Sequence, residues 1–403
     1  MQQLSSFEQA LLAAIDPAPM LAQVQAWSAI NSGTGNLAGL ARQWDALAGA
    51  FAAVPGSVRR VTPAPVEQIA ADGSLTQHQN GDHLVVSVRP EASRRLLLTG
   101  HMDTVFPVSD PFQSQRWLDD QTLNGPGVAD MKGGIAVMLA ALAAFETSDA
   151  AQAIGYDVLI NSDEETGSLS SAPLIAELAR GKLAALTYEP SALPDGTLAG
   201  ARGGSGNYSL AITGRSAHAG RNPQDGRNAI VAAAALTLGL KALEREGLAI
   251  NPARIDGGSA NNVVPDHAVL RFNIRPREPQ LAEVFEREVA ELIVNVSLRH
   301  EVGIHRHGGI SRPPKPIDAK AERLFGLVKE CGAALGQPIT WQSSGGVCDG
   351  NNIAACGVPV VDTMGVRGGA IHSPDEYLIV PSLAERAALS ALVLLRLATG
   401  AAL

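Results

Sequence analysis

The sequence predicts an α/β protein, in which a mostly parallel mixed sheet with helices on both faces is interrupted by a small βαββαβ domain. Strand-like and helix-like segments alternate between residues 84 and 187 and again after residue 319, which predicts the main sheet. After Pro190 the chain becomes glycine-rich and changes to the order of a split βαβ unit, which predicts the insertion. We therefore expect a main domain from residues 1–197 and 311–403, with residues 198–310 inserted into it.

The first part of the chain is predicted to begin with helices. Apolar residues recur with helical spacing in residues 17–30 and 37–51, so the first eighty residues are expected to be mainly helical. Strands and helices then alternate, in the order strand 84–88, strand 95–99, helix 132–146, strand 156–160, helix 171–179 and strand 183–187. The strand 156–160 is continuously apolar, which is typical of a strand buried on both faces.

The insertion is predicted to be a ferredoxin-like domain, because its segments follow the order βαββαβ. They are strand 208–213, helix 228–245, strands 249–256 and 267–274, helix 281–296 and strand 301–307. Residues 311–316 are proline-rich and are expected to form a stiff linker. The main domain is then completed by helix 319–335, strand 358–363 and helix 383–397.

Composition disfavours several classes of protein. The net charge is −9, from 40 acidic and 31 basic residues, and the sequence has no basic run of the kind that binds nucleic acid. The N-terminus lacks the basic start of a signal peptide, and the apolar stretches 135–145 and 230–240 are too short to cross a membrane. The three cysteines match no zinc-ribbon or zinc-finger spacing and are expected to be reduced thiols. We therefore expect a cytoplasmic protein without nucleic-acid or membrane partners.

Histidine and acidic residues follow two of the predicted strands. His101 and Asp103 face the same way in an extended chain, so one can bind a metal while the other orients it. A strand-end hydrogen bond without metal explains the pair equally well. Glu164 and Glu165 follow a buried strand, at the end of the sheet where α/β proteins bind ligands. Adjacent carboxylates repel each other unless a cation or a proton is near, although a solvated acidic loop has the same pattern.

Three further residues in loops have side chains that can bind metal. They are Asp130 in the glycine-rich segment GPGVADMKGG, Glu189 after strand 183–187, and His372 after strand 358–363. A lone acid in a loop such as that of Asp130 is usually a cap or turn residue. Together, two histidines and several carboxylates at one edge of a sheet suit two zinc ions that share a bridging carboxylate. Cobalt and manganese fit similar ligands.

Six segments of the chain occur together in one order: HMDTV, GVADMKGG, SDEETGS, YEPS, GRSAHAG and IHSPDEY. This ordered set resembles the aminoacylase/carboxypeptidase family, whose members include glutamate carboxypeptidase, acetylornithine deacetylase and succinyl-diaminopimelate desuccinylase. The resemblance extends from about residue 96 to residue 377. It implies a zinc exopeptidase-like fold, an inserted lid and dimerisation domain, and a dizinc hydrolase of amide bonds.

The resemblance also implies roles in the main domain. Five residues bind the zinc ions: His101 and Glu189 hold one, Glu165 and His372 hold the other, and Asp130 bridges both. In the family the bond from Asp130 to Met131 is often cis. Asp103 orients His101. Glu164 is the general base, which takes a proton from the attacking water and delivers it to the leaving amine.

The remaining implied residues are expected to contact substrate. His218, in GRSAHAG, reaches the active site of a neighbouring subunit and stabilises the oxyanion, which implies a homodimer. Asn262 helps to hold the substrate, and Arg275 binds its free α-carboxylate, a task that suits a bidentate guanidinium. Gly346, in GGVCDG, lines the pocket, with Cys348 where Ser or Thr is commoner in the family.

The function expected from these features is hydrolysis of a peptide or N-acyl conjugate to release a C-terminal amino acid, with glutamate as one candidate. The alternative within the same fold is an N-acyl-amino-acid or acetylornithine-type deacylase. A catalytically inactive homologue that only binds metal or peptide is disfavoured, because every matching position is filled. A serine hydrolase is also disfavoured, because the segment GGSGN lacks the second glycine of a nucleophile elbow.

Overall fold

The structure, a computed structural model, describes residues 4–403. The chain begins with three helices, α1 (Ser6–Ala13), α2 (Ala18–Ser28) and α3 (Leu37–Phe51). Five strands follow, β1 (Ser57–Val61), β2 (Val66–Ile69), β3 (Leu75–His78), β4 (His83–Val88) and β5 (Arg95–His101). Helix α3 begins after Asn36, whose side chain accepts a hydrogen bond from the backbone N–H of Gly39.

The next part alternates between strands and helices up to the insertion. The strands are β6 (Arg116–Asp119), β7 (Thr122–Asn124), β8 (Gly155–Asn161), β9 (Ala184–Thr187) and β10 (Leu198–Arg202). The helices are α4 (Gly134–Glu146) and α5 (Ala172–Ala179). By length and composition, the segment Val128–Glu146 that contains α4 is apolar enough to cross a membrane, but 89% of it is buried inside the protein. It is therefore a core helix.

The inserted part and the C-terminal part complete the fold. The insertion contains β11 (Ser205–Thr213), α6 (Ala229–Ala242), β12 (Leu248–Gly257), β13 (His267–Pro276), α7 (Pro279–His300) and β14 (Gly303–Arg312). The C-terminal part contains α8 (Ala319–Ala334), β15 (Trp341–Ser344), α9 (Asp349–Ala355), β16 (Val360–Val361), β17 (Gly368–Gly369), β18 (Tyr377–Ile379) and α10 (Ser382–Ala398).

The central sheet has the strand order β1-β4-β8-β5-β9-β16. Strands β8, β5, β9 and β16 are mutually parallel, whereas β4 runs antiparallel to both of its neighbours. Successive residues of the central strands pack into different hydrophobic clusters: Leu96 and Leu98 face α4 and α10, while Leu97 faces α5 and α9. Helices therefore cover both faces, and the prediction of a mostly parallel mixed sheet in an α/β fold is confirmed.

The insertion has the predicted βαββαβ order and a hydrophobic cluster of its own. Its four strands are antiparallel in the order β12-β13-β11-β14, which is the ferredoxin-like arrangement, and β12 and β14 form the edges. The division of the chain at residues 198 and 310 stays a prediction.

Several predicted elements differ from the structure. The first eighty residues are not mainly helical, because β1, β2 and β3 lie within them; their short, largely exposed segments give little apolar signal. The strand predicted at 301–307 is β14, which continues to Arg312 and takes in the start of the predicted linker until two prolines stop it. The strand predicted at 358–363 is only the two-residue edge strand β16.

Candidate active site

The candidate site lies at the carboxyl ends of the parallel strands β5, β8 and β9. His101 is the last residue of β5, Glu164 and Glu165 form a short turn after β8, and Glu189 follows β9. Asp130 joins them from an irregular turn before α4 and His372 from the loop after β17. Because parallel strands end at the same edge of a sheet, residues far apart in sequence converge at this point.

The two histidines and three of the carboxylates form two linked groups. His101 Nε2 lies 3.1 Å from Asp130 Oδ1 and 3.6 Å from Glu189 Oε2. His372 Nε2 lies 3.2 Å from Asp130 Oδ2 and 3.1 Å from Glu165 Oε2. Each oxygen of Asp130 therefore faces a different histidine, and each histidine has a second carboxylate beside it. This is the grouping that the family resemblance implied.

The turn that carries Asp130 is held by Glu376. The Glu376 carboxylate accepts hydrogen bonds from the backbone N–H groups of Gly127, Ala129 and Asp130 at 2.9–3.1 Å. The Asp130–Met131 peptide bond is cis. A Cβ on Gly134 would lie 1.9 Å from the Tyr188 carbonyl oxygen, so the glycine lets α4 begin directly against the strand end that carries Glu189.

Asp103 contacts both His101 and the turn after β8 that carries Glu164 and Glu165. His101 Nδ1 lies 3.0 Å from the backbone carbonyl oxygen of Asp103 and 3.4 Å from its carboxylate. The same carboxylate accepts hydrogen bonds from Thr34 Oγ1 at 2.7 Å and from the backbone N–H groups of Glu164 and Glu165 at 3.2 Å. Asp103 therefore fixes the turn after β8 as well as the ring of His101.

Glu164 is buried beside the cluster and paired with a cation. Its Oε1 lies 2.7 Å from Nη2 of Arg312. Burial raises the pKa of Glu164 to about 7, while the positive charge of Arg312 opposes that rise. A carboxylate oxygen of Glu164 also lies within 4.8 Å of ligand atoms of His101 and Glu189, so by distance alone it is a further potential metal ligand.

The pKa values of Glu165, His372 and Asp130 are also shifted. Burial and the neighbouring Asp130 charge raise the pKa of Glu165 to about 8. Hydrogen bonds to Asp130 and Glu165 raise the pKa of His372 to about 11. Burial works against ionisation of Asp130, but the two histidines hold its pKa below the ordinary value. Several acids so close together in a buried place need positive charge, which protons or metal ions can supply.

A cavity of about 440 Å³ opens onto the cluster. Besides the carboxylates of the cluster, His372 and Arg202, it is lined mainly by small or apolar residues, among them Ala192, Ala199, Val347 and Ile371. Gly346 and Cys348 also line it, as the sequence predicted for Gly346. The space has room for a small acyl or aminoacyl group next to the histidines and carboxylates.

Three of the predicted residues lie away from the cluster, on the surface of the insertion. His218 is exposed, and its Nδ1 accepts hydrogen bonds from the backbone N–H groups of Gly220 and Arg221. Asn262 is exposed in the neighbouring loop, where its carbonyl accepts a hydrogen bond from the Ala219 N–H. These two residues make no contact with the main-domain cluster in the single chain.

Arg275, near the end of β13, is exposed and hydrogen-bonds through Nε to Asn273. It lines a larger cavity, of about 900 Å³, between the insertion and the main domain. This cavity shares Arg202 and Ser344 with the one at the cluster, so Arg275 lies in a space that adjoins the site.

Two residues that shape the site were not predicted from the sequence. Glu376 lies in the segment IHSPDEY, but a glutamate that binds only backbone N–H groups has no pattern to mark it. Arg312 lies in the segment expected to be a linker, and only the return of the chain from the insertion brings it to Glu164.

This chain is similar to known proteins in both sequence and fold. The model of peptidase family M20/M25/M40 matches residues 97–396. Carboxypeptidase G2 of Pseudomonas sp. (strain RS-16) is 28% identical over 326 residues, which cover 79% of this chain and 78% of that protein. Succinyl-diaminopimelate desuccinylase of Xanthomonas campestris pv. campestris (strain 8004) is 32% identical over 312 residues, which cover 72% and 80%. The crystal structure of a tripeptidase from Staphylococcus aureus subsp. aureus Mu50 superimposes with a TM-score of 0.69 at 25% identity, covering 96% of this chain and 99% of that one.

Proposed function

The chain belongs to peptidase family M20/M25/M40 and is an amide-bond hydrolase, and we propose that it uses two zinc ions to release a C-terminal amino acid from a peptide or N-acyl conjugate. The observation that carries this proposal is the position of Asp130, whose two oxygens face His101 and His372 at 3.1 and 3.2 Å. A carboxylate between two histidines, each with a second carboxylate, is the donor set of a dinuclear metal site.

Both groups of residues offer the imidazole nitrogen and carboxylate oxygen atoms that zinc accepts as ligands. His101 and Glu189 would hold one ion, Glu165 and His372 would hold the other, and Asp130 would bridge them. Two such ions, when bound, polarise the amide carbonyl and lower the pKa of the attacking water. They also supply the positive charge that the buried carboxylates need. Cobalt and manganese accept the same imidazole and carboxylate ligands and are possible substitutes.

Glu164 is proposed as the general base. It is buried in the site but is not one of the five proposed ligands, so its carboxylate is available to move a proton. In the metal-free protein, burial raises the pKa of Glu164 to about 7. The charge of bound metal ions would lower that pKa and favour the carboxylate form, which can accept a proton. Glu164 then takes the proton from the attacking water and delivers it to the leaving nitrogen. Asp103 orients His101 and holds the Glu164 backbone while this happens.

Substrate contacts are proposed for residues of the insertion and of the pocket. Arg275 binds the free α-carboxylate of the substrate from the larger cavity, and Asn262 helps to hold the substrate. Gly346, beside the cluster, lets the substrate backbone approach closely because it has no side chain. These assignments follow the family motifs, and the adjoining cavities support the one for Arg275.

Two classes of substrate are proposed. Release of a C-terminal amino acid is favoured by the likeness to carboxypeptidase G2, and glutamate is the first candidate. Deacylation of an N-acyl amino acid, of the acetylornithine type, is the alternative favoured by the likeness to the desuccinylase. Both reactions hydrolyse an amide bond next to a free carboxylate, and a cytoplasmic location stays our prediction for either.

A hydrolysis panel tests the proposed function. We expect release of free amino acid from N-acyl amino acids and dipeptides by the zinc-loaded protein, and loss of that release after chelation, because the attacking water is no longer activated. Amino-acid analysis of each digest measures it, and re-addition of zinc is the control. The ranking of glutamate conjugates against N-acetyl and N-succinyl substrates separates the two classes. Equal release by the chelated and the zinc-loaded protein would contradict metal dependence.

A homodimer is proposed through the insertion. Helix α6 carries a stripe of exposed apolar side chains that includes Val231 and Leu238, which is 74% exposed, and the neighbouring β12 is an edge strand. An apolar stripe beside an open strand edge favours association with a second copy. In such a dimer, His218 of one subunit completes the site of the other by stabilising the oxyanion.

Hybrid dimers test the role of His218 in the partner. We expect His218→Ala and Glu164→Ala homodimers to be nearly inactive, whereas a co-expressed hybrid of the two recovers about half of the wild-type kcat, since one of its two sites is complete. Differently tagged subunits allow the hybrid to be purified and assayed. If His218 served its own subunit, both sites of the hybrid would be defective and no activity would return.

A further inference from the structure

The chain crosses between the main domain and the insertion at two points, which lie side by side. Residues Arg202 and Lys315 form an antiparallel bridge in which each backbone N–H donates to the other's carbonyl oxygen at 2.9 Å. Both side chains also reach the carboxylate of Asp362, which is fully buried. The two crossings, at Arg202 and Lys315, are therefore bound to each other and to the main domain. We call this pair of crossings the hinge.

A second set of contacts fastens the same hinge to α9. The Asn351 side-chain amide donates to the carbonyl oxygens of Gly203 and Pro313 at 2.9 and 2.8 Å, and that of Asn352 donates to Ser311 at 2.8 Å. These bonds hold the segment around residue 312 in one place as the chain leaves β14. Arg312 therefore enters the main domain from a fixed backbone.

The Arg312 guanidinium binds two loops of the main domain at once. Nη1 donates to the Val347 carbonyl oxygen at 3.1 Å, and Nη2 donates to the Glu164 carbonyl oxygen at 2.8 Å and to Ser168 Oγ at 2.9 Å. The side chain is buried, and Asp349 lies 3.7 Å from it. A planar fork of donors can span two loops in this way, which a lysine ammonium cannot do.

The contact with the Glu164 carboxylate is of a different kind. Nη2 lies 2.7 Å from Oε1, but its two N–H bonds point to the carbonyl oxygen and to Ser168, and Oε1 accepts no hydrogen bond among the described residues. The positive charge of Arg312 therefore holds the carboxylate in position by electrostatic attraction. A carboxylate that is fixed in this way is placed to accept a proton from water.

We propose that Arg312 is a positioning residue, which links the hinge of the insertion to Glu164 and holds that carboxylate where proton transfer requires it. The proposal rests on the proposed role of Glu164 as the general base. Arg312 is not one of the proposed metal ligands and does not itself line the cavity at the cluster, although it holds the Val347 carbonyl beside that cavity. Its closest contact with a group proposed to take part in the reaction is with Glu164, through which we propose that it acts. Its loss is expected to lower kcat, with little change in KM or in metal content.

A double-mutant cycle tests this inference. Arg312→Met, a variant of similar length, is expected to lower kcat by about 10–100-fold, which is typical when a supporting residue of a metal site is lost. Arg312→Lys keeps the positive charge but lacks the planar N–H donors of the guanidinium group. It should therefore retain part of the kcat that Arg312→Met loses. In a Glu164→Gln background, Arg312→Met should add little, since the group through which it acts is already gone. The readouts are kcat, KM, bound zinc and the melting temperature.

Arg386→Met is the matched control, because Arg386 is also a buried arginine that donates to a backbone carbonyl, that of Gly196, but away from the site. It should lower stability and leave kcat unchanged. If Arg312→Met fails to fold, Arg312→Lys enters the same cycle. The proposal is overturned if kcat stays within about threefold of wild type, if only KM or zinc content changes, or if the losses at 312 and 164 multiply. A near-normal kcat in the Glu164→Gln single variant would instead contradict the proposed role of Glu164 as the general base.

Discussion

Glu164→Ala is expected to lower kcat by about 10²–10⁴-fold, the usual contribution of general acid–base catalysis, while the folded protein keeps its metal. The alanine removes the group that moves the proton from water to the leaving nitrogen. The five proposed ligands, among them Asp130 and the two histidines, remain in place. Steady-state kinetics and metal analysis on the same preparation measure both quantities, and KM should change little.

Two comparisons make the Glu164 result specific. Asp157→Asn also alters a buried acid of this sheet, one paired with Arg95 and Lys182 at 2.7 and 2.8 Å, and should reduce stability without changing kcat. Glu164→Asp keeps the charge and shortens the side chain, so it should retain part of the activity. Near-normal turnover in Glu164→Ala would exclude its role as base. Loss of zinc together with turnover would show that Glu164 is a ligand, which its distance from His101 and Glu189 allows.

Much of the site could be predicted from sequence because its residues follow strands with a strong local signal. The strands that end near His101, Glu164 and Glu189 are short apolar runs buried on both faces, and the positions after them converge whatever the loops do. The ferredoxin-like order of the insertion could be predicted for the same reason, since its strands and two long helices alternate clearly. Both predictions depend on periodicity within about ten residues, which a single sequence contains.

The remainder depends on contacts between distant segments. Strands β6, β7, β17 and β18 form a small sheet of two- to four-residue strands, which have too few residues to show a period. Arg312 is 148 residues from Glu164, and nothing near it in sequence distinguishes a hinge arginine from a linker arginine. The position of His218 in an assembly depends on a second chain, which one sequence does not describe.

The stability of the metal-free protein is expected to fall as the pH rises from about 5 to 9, and zinc is expected to remove most of this fall. Burial raises the pKa of Glu164 to about 7 and that of Glu165 to about 8, from an ordinary value of 4.5, and hydrogen bonding raises that of His372 from 6.5 to about 11. A group whose pKa is higher in the folded state stabilises the fold below its unfolded pKa. That contribution is lost as the pH rises through the folded pKa.

All three groups therefore act in the same direction in this range, because each holds more protons folded than unfolded. Asp130 has the opposite sign, but its lowered pKa places its effect below pH 4. Zinc takes the place of the protons on its proposed ligands Glu165 and His372, and its charge favours the ionised form of Glu164, so its binding strengthens as these protons leave. The difference in melting temperature between zinc-loaded and chelated protein should accordingly widen between pH 6 and pH 9.

Thermal unfolding of the zinc-loaded and the chelated protein between pH 6 and pH 9 measures this difference in melting temperature. Glu165→Gln cannot ionise at this position, so the melting temperature of the chelated variant should depend less on pH. Asp157→Asn, outside the cluster, should leave its slope unchanged. Parallel curves for loaded and chelated protein would mean that the carboxylates do not exchange protons for metal. In that case the cluster of Asp130, Glu165 and His372 would be held by hydrogen bonds alone, and the dinuclear site would lose its electrostatic basis.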